Sequence, residues 1–269
     1  MFEKVNPAHP DKLADRIAGA IVDLAYMKSP NPKIACEVLL GHGECFIIME
    51  TDQEFSDAEL NGITMRIAGV PVTGLNISKQ DKYLADNQIG KIRCGDNGIF
   101  LPVKFTEEEK FLTKIANKIY AICPHDGKYL IDGQKITICQ SNLSRYLKDK
   151  IKDMFYLTDY EVVINPLGDW TGGTDVDAGA TNRKLGSDMG TGISGGGLHG
   201  KDLSKADVTL NICATLFGTG ISCSIGDEYI GKYDYAHYVD LARGVIEKLG
   251  GFEKFAEWGL LRTDKYMFN

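Results

Sequence analysis

No apolar run in this chain approaches the roughly 20 residues that a membrane-spanning helix needs. Its opening Met-Phe-Glu-Lys-Val-Asn-Pro also lacks the apolar core of a secretory leader. A soluble, cytoplasmic protein is the expectation. Excess positive charge is missing too: the net charge is −7 and the isoelectric point about 5.3, which argues against generic nucleic-acid binding and makes basic residues matter where they cluster. Cysteines at CxxC spacing are absent, and the seven cysteines are an odd number, as expected of reduced thiols. Cys36, Cys45 and Cys139 sit in apolar runs and read as small core residues. No internal sequence repeat stands out. What remains is an ordinary globular composition, 43% hydrophobic and 25% charged over 269 residues, enough for one large domain or two to three small ones.

Glycine, by contrast, is concentrated. Eleven of the 30 glycines fall between Gly168 and Gly200, a density that suits close backbone approach or positive φ better than a packed core. Charges accompany them: the cations Arg183, Lys184, Lys201 and Lys205, and the carboxylates Asp175, Asp177, Asp202 and Asp207. Cations grip phosphates and carboxylates hold their metal ions, so a polyphosphate carried with a divalent metal is the expected ligand. A flexible loop with solvated charges would explain the glycines alone but not the fixed cations beside Asp.

Helix and strand patterns alternate along the chain. Leu13, Ile17, Ile21 and Leu24 follow His9-Pro10 at helical spacing, with Pro10 in the first turn, where its missing N–H does no harm. Ile34 to Leu40 and Cys45 to Met49 read as a hairpin turning at Gly41-His42-Gly43. Ser56-Asp-Ala-Glu59 and Thr106-Glu-Glu-Glu109 are capping boxes that open two more helices. A further helix is expected near Leu143, Leu147 and Ile151, strands at Ile136 to Cys139 and Val162 to Ile164, and a helix from Ser204 carrying Val208 and Ile212. The last clear helix runs from about Ala236 to Leu249, with Leu241, Val245 and Leu249 on one face, and stops at Gly250-Gly251. Hairpins followed by helices, about three times over, favour an α+β fold with helices on one sheet face.

Two other constellations carry chemistry. His9-Pro10-Asp11-Lys12 puts an imidazole, a carboxylate and an ammonium at a helix start, where anions are attracted and Asp11 can serve a metal, although capping alone would also account for it. Glu37 stands in an apolar strand, where a charge is costly unless paired or bound to a cation. The hairpin puts Glu50 about one diagonal step away; the plain alternative is an edge strand exposing both acids. Gly95-Asp96-Asn97-Gly98 reads as a turn whose flanks, Ile92 and Ile99-Phe100, are buried, so that Asp96 can face a site.

Taken together, His9-Pro-Asp-Lys12, Ala35-Cys-Glu37, Gly95-Asp-Asn-Gly98, Asp126-Gly-Lys128, Ile164-Asn-Pro166, Gly172-Gly173 with Asp177-Ala-Gly179 and Arg183-Lys184, and Gly200-Lys-Asp-Leu-Ser-Lys-Ala-Asp207 resemble, in order and approximate spacing, the methionine adenosyltransferase (S-adenosylmethionine synthetase) family over about residues 3 to 217. The resemblance implies three similar α/β lobes about a pseudo-threefold axis. The chain divides approximately into 1–104, 105–167 and 168–269, with the lobes interleaved. It also implies homodimers or dimers of dimers with active sites between subunits. His9 matches the histidine near the ribose-triphosphate linkage, Asp11 and Asp207 the carboxylates for two Mg²⁺, and Glu37 the K⁺ ligand. Lys128, Arg183, Lys184 and Lys201 match triphosphate contacts. Glu50, Gln80, Asp177 and Lys205 match the surroundings of methionine, with Asp96 and Asp126 in the same pocket and Trp170 where adenine stacks.

The implied reaction is attack of methionine sulfur on C5′ of ATP, expulsion of triphosphate, and its hydrolysis to pyrophosphate and phosphate. A thioether has no proton to lose, so the first step needs no base; positioning and charge stabilisation carry it. Several departures mark a reduced member of the family. The gating loop before Gly95 is short, leaving Gln88 as a competitor to Gln80. Asn97 replaces a glutamine, His199 stands near a usual aromatic or serine position, and the part after Phe217 is abbreviated. Two rival classes are an ATP or triphosphate hydrolase that forms no sulfonium and a nucleotide-binding, non-catalytic partner subunit.

Overall fold

The computed structural model describes residues 1–263. The chain makes three passes of similar design. The first pass is β1 (Phe2–Val5), α1 (Pro10–Lys28), the hairpin β2 (Ile34–Gly41) and β3 (Glu44–Thr51), α2 (Asp57–Ala68) and β4 (Gly74–Ser78), followed by a one-turn helix α3 (Lys82–Asp86). The second is β5 (Gly98–Phe100), α4 (Glu107–Ile122), the hairpin β6 (Gly127–Asp132) and β7 (Lys135–Gln140), α5 (Arg145–Asp153) and β8 (Glu161–Ile164). The third is β9 (Ala178–Ala180), α6 (Leu185–Met189), α7 (Ala206–Phe217), β10 (Ile221–Cys223), the short ribbon β11 (Tyr229–Ile230) and β12 (Tyr233–Asp234), α8 (Tyr235–Leu249) and α9 (Phe252–Trp258).

The leading strand of each pass joins the sheet of another. β1 pairs with β6, β5 with β10, and β9 with β2, all antiparallel. Two sheets are therefore four-stranded and alike, β9-β2-β3-β4 and β1-β6-β7-β8, each a hairpin with one parallel strand beyond it. The third lobe is reduced to the pair β10-β5 and the ribbon β11-β12. This is the α+β fold of repeated lobes expected from sequence, with smaller sheets in the third lobe among the described residues.

Local chemistry explains the elements. Both capping boxes form with both of their hydrogen bonds, and Pro10 occupies the first turn of α1 with His9 as its cap. In β2 and β3, Ile34, Cys36, Val38, Leu40, Cys45, Ile47 and Met49 point inward and are buried, while Glu37, Leu39, Phe46, Ile48 and Glu50 face out. α1 is buried nearly all round because α9 crosses it: a Cβ on Gly19 would lie 2.7 Å from the Phe252 carbonyl oxygen.

Some expectations shift. The helix expected from Ser204 starts at Ala206 with Lys205 as its cap. On α8 the buried stripe is Tyr238, Val239, Ala242, Val245 and Ile246, leaving Leu241 and Leu249 half-buried, because Tyr238 turns inward to donate to the Ile230 carbonyl at 2.8 Å. The strand Val162 to Ile164 is half-buried, and so is Cys139. Beside Asp96, Phe100 is buried but Ile99 is exposed and Ile92 only half-buried. α9 was not foreseen. Its free N–H groups at Phe252 and Glu253 are capped by Asp23 of α1, at 2.7 and 2.9 Å, a partner far away in sequence.

Candidate active site

The start of α1 gathers the first group of site residues. Asp11 Oδ1 accepts the Ala180 N–H at 2.9 Å and Oδ2 meets Lys184 Nζ at 2.9 Å, while Arg183 Nε lies 3.6 Å from Oδ1. Burial works to raise the Asp11 pKa, but the Ala180 N–H and then Lys184 outweigh it and hold the carboxyl below its ordinary value. β9 can lie this close because residue 179 is glycine: a Cβ there would stand 2.1 Å from the Pro10 carbonyl carbon.

His9 Nδ1 accepts the Asp11 N–H at 3.2 Å. Burial pushes its pKa down to about 4, against the pull of Asp11. The imidazole is therefore neutral at pH 7, with its proton on Nε2, a donor for an incoming anion. Beside it, Asp126 Oδ2 accepts the Gly173 N–H at 3.3 Å, and burial, reinforced by Asp177 and Asp11, pushes its pKa up to about 6. Trp170 packs on Gly172, where a Cβ would stand 2.8 Å from the Trp170 ring and 2.8 Å from the Asp126 Cβ. Asp177 is exposed, its Oδ1 accepting the Ala178 N–H. Lys128 reaches Glu3 at 3.2 Å on the surface, so its ammonium is only loosely engaged.

A second group lies around the start of α7. Lys201 Nζ donates to Asp207 Oδ2, and Asp207 Oδ1 accepts the Gly196 N–H at 2.9 Å. The turn carrying Asp96 rests on this helix start: a Cβ on Gly95 would lie 2.8 Å from the Ser204 carbonyl oxygen and 3.6 Å from Lys205 Cα. Asp96 is exposed and caps its own turn through the Asn97 N–H at 2.7 Å. Lys201 also bridges to Ala35, which pairs across the hairpin with Glu50, so Glu50, Ala35 and Lys201 form one row.

Glu37 and Glu50 are diagonal neighbours, as expected, and Thr181 Oγ1 donates to Glu37 Oε2. Both acids are exposed on inner strands of a sheet and not on an edge. Gln80, just past β4, keeps a buried Oε1 with no partner. Gln88 is occupied, bonding the Arg93 N–H and carbonyl at 3.3 and 3.0 Å. No hydrogen bond or ion pair among the described residues joins the Asp11 group to the Lys201–Asp207 group.

One charged cluster was missed in the sequence. Lys12 points into the core, where its ammonium lies 2.9 Å from Asp15 Oδ2 and donates also to Asp188 Oδ2; His199 Nε2 is 2.8 Å from that same oxygen. Burial works to raise the Asp188 pKa, yet Lys12 and then His199 hold it well below the carboxylate range. Asp15, Asp188 and His199 are close enough together to hold a metal ion, but the Lys12 ammonium already supplies the positive charge between the carboxylates. Only the Lys12–Asp15 pair, three residues apart on α1, is local in sequence; residues 12, 188 and 199 meet only in the fold.

The chain is thus α+β with strands exchanged between its sheets, and it places carboxylates beside cations at two helix starts. Residues 1–70 match the S-adenosylmethionine synthetase N-terminal domain. The chain is 27% identical over 266 residues to the S-adenosylmethionine synthase of Sulfurovum sp. (strain NBC37-1), covering 76% of this chain and 68% of that protein. It is 28% identical over 326 residues to the S-adenosylmethionine synthase of Sphingopyxis alaskensis, covering 89% and 80%. Its fold is shared with a solved structure titled as an unusual S-adenosylmethionine synthetase from Campylobacter jejuni, with a TM-score of 0.78 and 17% identity over 99% of this chain and 96% of that one. The chain is similar to S-adenosylmethionine synthetases, through its first 70 residues, through relatives at 27–28% identity and through its fold. No helix among the described residues is long and apolar enough to cross a membrane.

Proposed function

We infer that this protein makes S-adenosylmethionine from ATP and L-methionine, expelling triphosphate and hydrolysing it to pyrophosphate and phosphate. The observation that carries the reading is a wiring repeated at two helix starts. In Asp11 and in Asp207 one carboxylate oxygen is fixed by a backbone N–H and the other faces a lysine. Lys184 and Lys201 are then free to exchange their carboxylate for phosphate oxygens, leaving one anionic oxygen at each position for a divalent cation. Hard carboxylate oxygens fit Mg²⁺, which when bound would offset negative charge on the triphosphate. Glu37, with Thr181 beside it, is the matching oxygen donor for K⁺.

The chain's own residues divide the remaining work. His9 offers its Nε2–H where the triphosphate meets the ribose, while Lys128, Arg183, Lys184 and Lys201 stabilise the leaving charge. Trp170, next to Asp126, is the stacking surface for adenine. Glu50, Gln80, Asp96, Asp126, Asp177 and Lys205 surround methionine. Gln80 is preferred to Gln88 because its Oε1 is unpartnered. On the family resemblance, the complete site lies between two subunits. The outer face of β9-β2-β3-β4, with Leu39, Phe46 and Ile48 exposed beside Glu37 and Glu50, supports a homodimer formed there.

Incubating the purified protein with ATP, Mg²⁺, K⁺ and labelled methionine tests the reading: a labelled sulfonium product is expected. Phosphate release without it would assign the hydrolase, and neither product would assign a non-catalytic subunit. Asp11→Asn and Asp207→Asn should each raise the Mg²⁺ concentration needed for half-maximal rate.

A further inference from the structure

Cys94 and Cys223, far apart in sequence, bring their Sγ atoms to 3.0 Å. A disulfide needs about 2.05 Å, so about 1 Å of side-chain movement separates the pair from bonding. Backbone bonds hold both cysteines in place. The Cys94 N–H donates to the Asp227 carbonyl at 2.9 Å and its carbonyl accepts from Gly226 at 2.8 Å, while Cys223 pairs with Gly98 in the β10-β5 ladder. Both sulfurs also rest on one acceptor, the Asp96 carbonyl oxygen, at 3.1 and 3.3 Å. The same turn is tied to the cysteine loop from the other side, where Asn97 Oδ1 accepts the Ile225 N–H at 2.8 Å.

We propose that Cys94 and Cys223 form a redox-active dithiol whose closure to a disulfide releases the turn bearing Asp96 and so weakens methionine binding. This control of the site rests on the reading above that Asp96 lines the methionine pocket. The oxidant is a hydroperoxide: the Cys94 thiolate attacks the peroxide oxygen to give a sulfenic acid, and the expelled hydroxide takes up the proton the thiol released, as water. Cys223 sulfur then displaces hydroxide from that sulfur, its own proton leaving with the hydroxide as water, and the S–S bond forms. In sum, two thiols and one hydrogen peroxide give one disulfide and two waters. Neither sulfur then carries a proton, and the Asp96 carbonyl loses both S–H donors.

The electrostatics single out this pair. The S–H of Cys223 beside Cys94 favours the Cys94 thiolate and lowers its pKa, so the pair gives up its first proton more readily than a lone thiol. Burial pushes the thiols of Cys36, Cys45, Cys123, Cys139 and Cys213 up.

The test treats the full-length protein with a small excess of hydrogen peroxide and maps its thiols by peptide mass spectrometry. A Cys94–Cys223 linked peptide is expected, with two fewer titratable thiols, faster amide exchange over residues 95–98, and an apparent KM for methionine raised at least threefold. Dithiothreitol should reverse all of these. Cys223→Ser should keep the untreated activity and lose the peroxide response. Peroxide that oxidises other thiols without forming this link would overturn the proposal. A quantitative link with unchanged exchange and unchanged methionine KM would overturn the control of the site. Because the link and the exchange are read without activity, a protein that makes no sulfonium still decides whether the dithiol exists.

Discussion

Replacing Lys12 by methionine removes the ammonium that meets both Asp15 and Asp188 while keeping much of the side-chain volume. Both carboxylates are fully buried, and Asp188 Oδ1 already lacks a partner, so neither anion can recover its lost charge from solvent. Breaking a buried pair by deleting one member costs about 3–5 kcal/mol. For a chain of this size about 2–4 °C of melting temperature accompanies each kcal/mol, so Lys12→Met should melt about 10 °C lower. Asp188 also holds the C-terminal segment, its carbonyl accepting the Leu260 and Leu261 N–H groups at 2.8 Å each, so that segment should loosen first.

The pH dependence supplies a second check. In the native protein the depressed Asp188 pKa contributes stability above the unfolded carboxylate value, and this is lost as pH falls. In Lys12→Met burial is unopposed by the ammonium and drives the Asp188 carboxyl upward. The folded variant then binds protons more readily than the unfolded chain, and its deficit should shrink between pH 7 and pH 5. Urea denaturation of both proteins at the two pH values measures this. A deficit under about 1 kcal/mol at pH 7, or one that grows toward pH 5, would refute the assignment of Lys12 as the charge that balances the cluster.

Three further outcomes are expected. Lys4 is fully buried, donating to the Ser187, Trp258 and Leu261 carbonyls, and burial lowers its pKa to about 7. The unfolded chain therefore binds more protons above pH 7, so unfolding free energy should rise from pH 7 toward pH 9, and Lys4→Met should flatten that rise in denaturant titrations. Asp126, pushed up to about 6, should take a proton as pH drops below that value; initial rates should show an acidic limb near pH 6 that Asp126→Asn moves or removes. Arg183→Ala and Lys201→Ala should each lower the alkylation rate at least tenfold with unchanged circular dichroism, because both side chains lie outside the packed core.

The elements that could be read from sequence are those whose causes are local. The capping boxes at Ser56 and Thr106, the alternation of β2 and β3, and Pro10 in the first turn of α1 depend on neighbours a few residues apart, and each formed as its residues required. The proposed site was legible as chemistry, since cations and carboxylates among glycines suit an anionic ligand carried with a metal. Sequence could not supply partners. The strand exchange that sends β1 to β6 and β9 to β2, the Asp23 cap on α9, the inward turn of Lys12 toward Asp188, and the approach of Cys94 to Cys223 each join residues more than a hundred positions apart. Local propensity sets what a segment can become. Which buried charge meets which counter-charge is fixed only when packing removes the water that would otherwise solvate both, and that is a property of the tertiary structure.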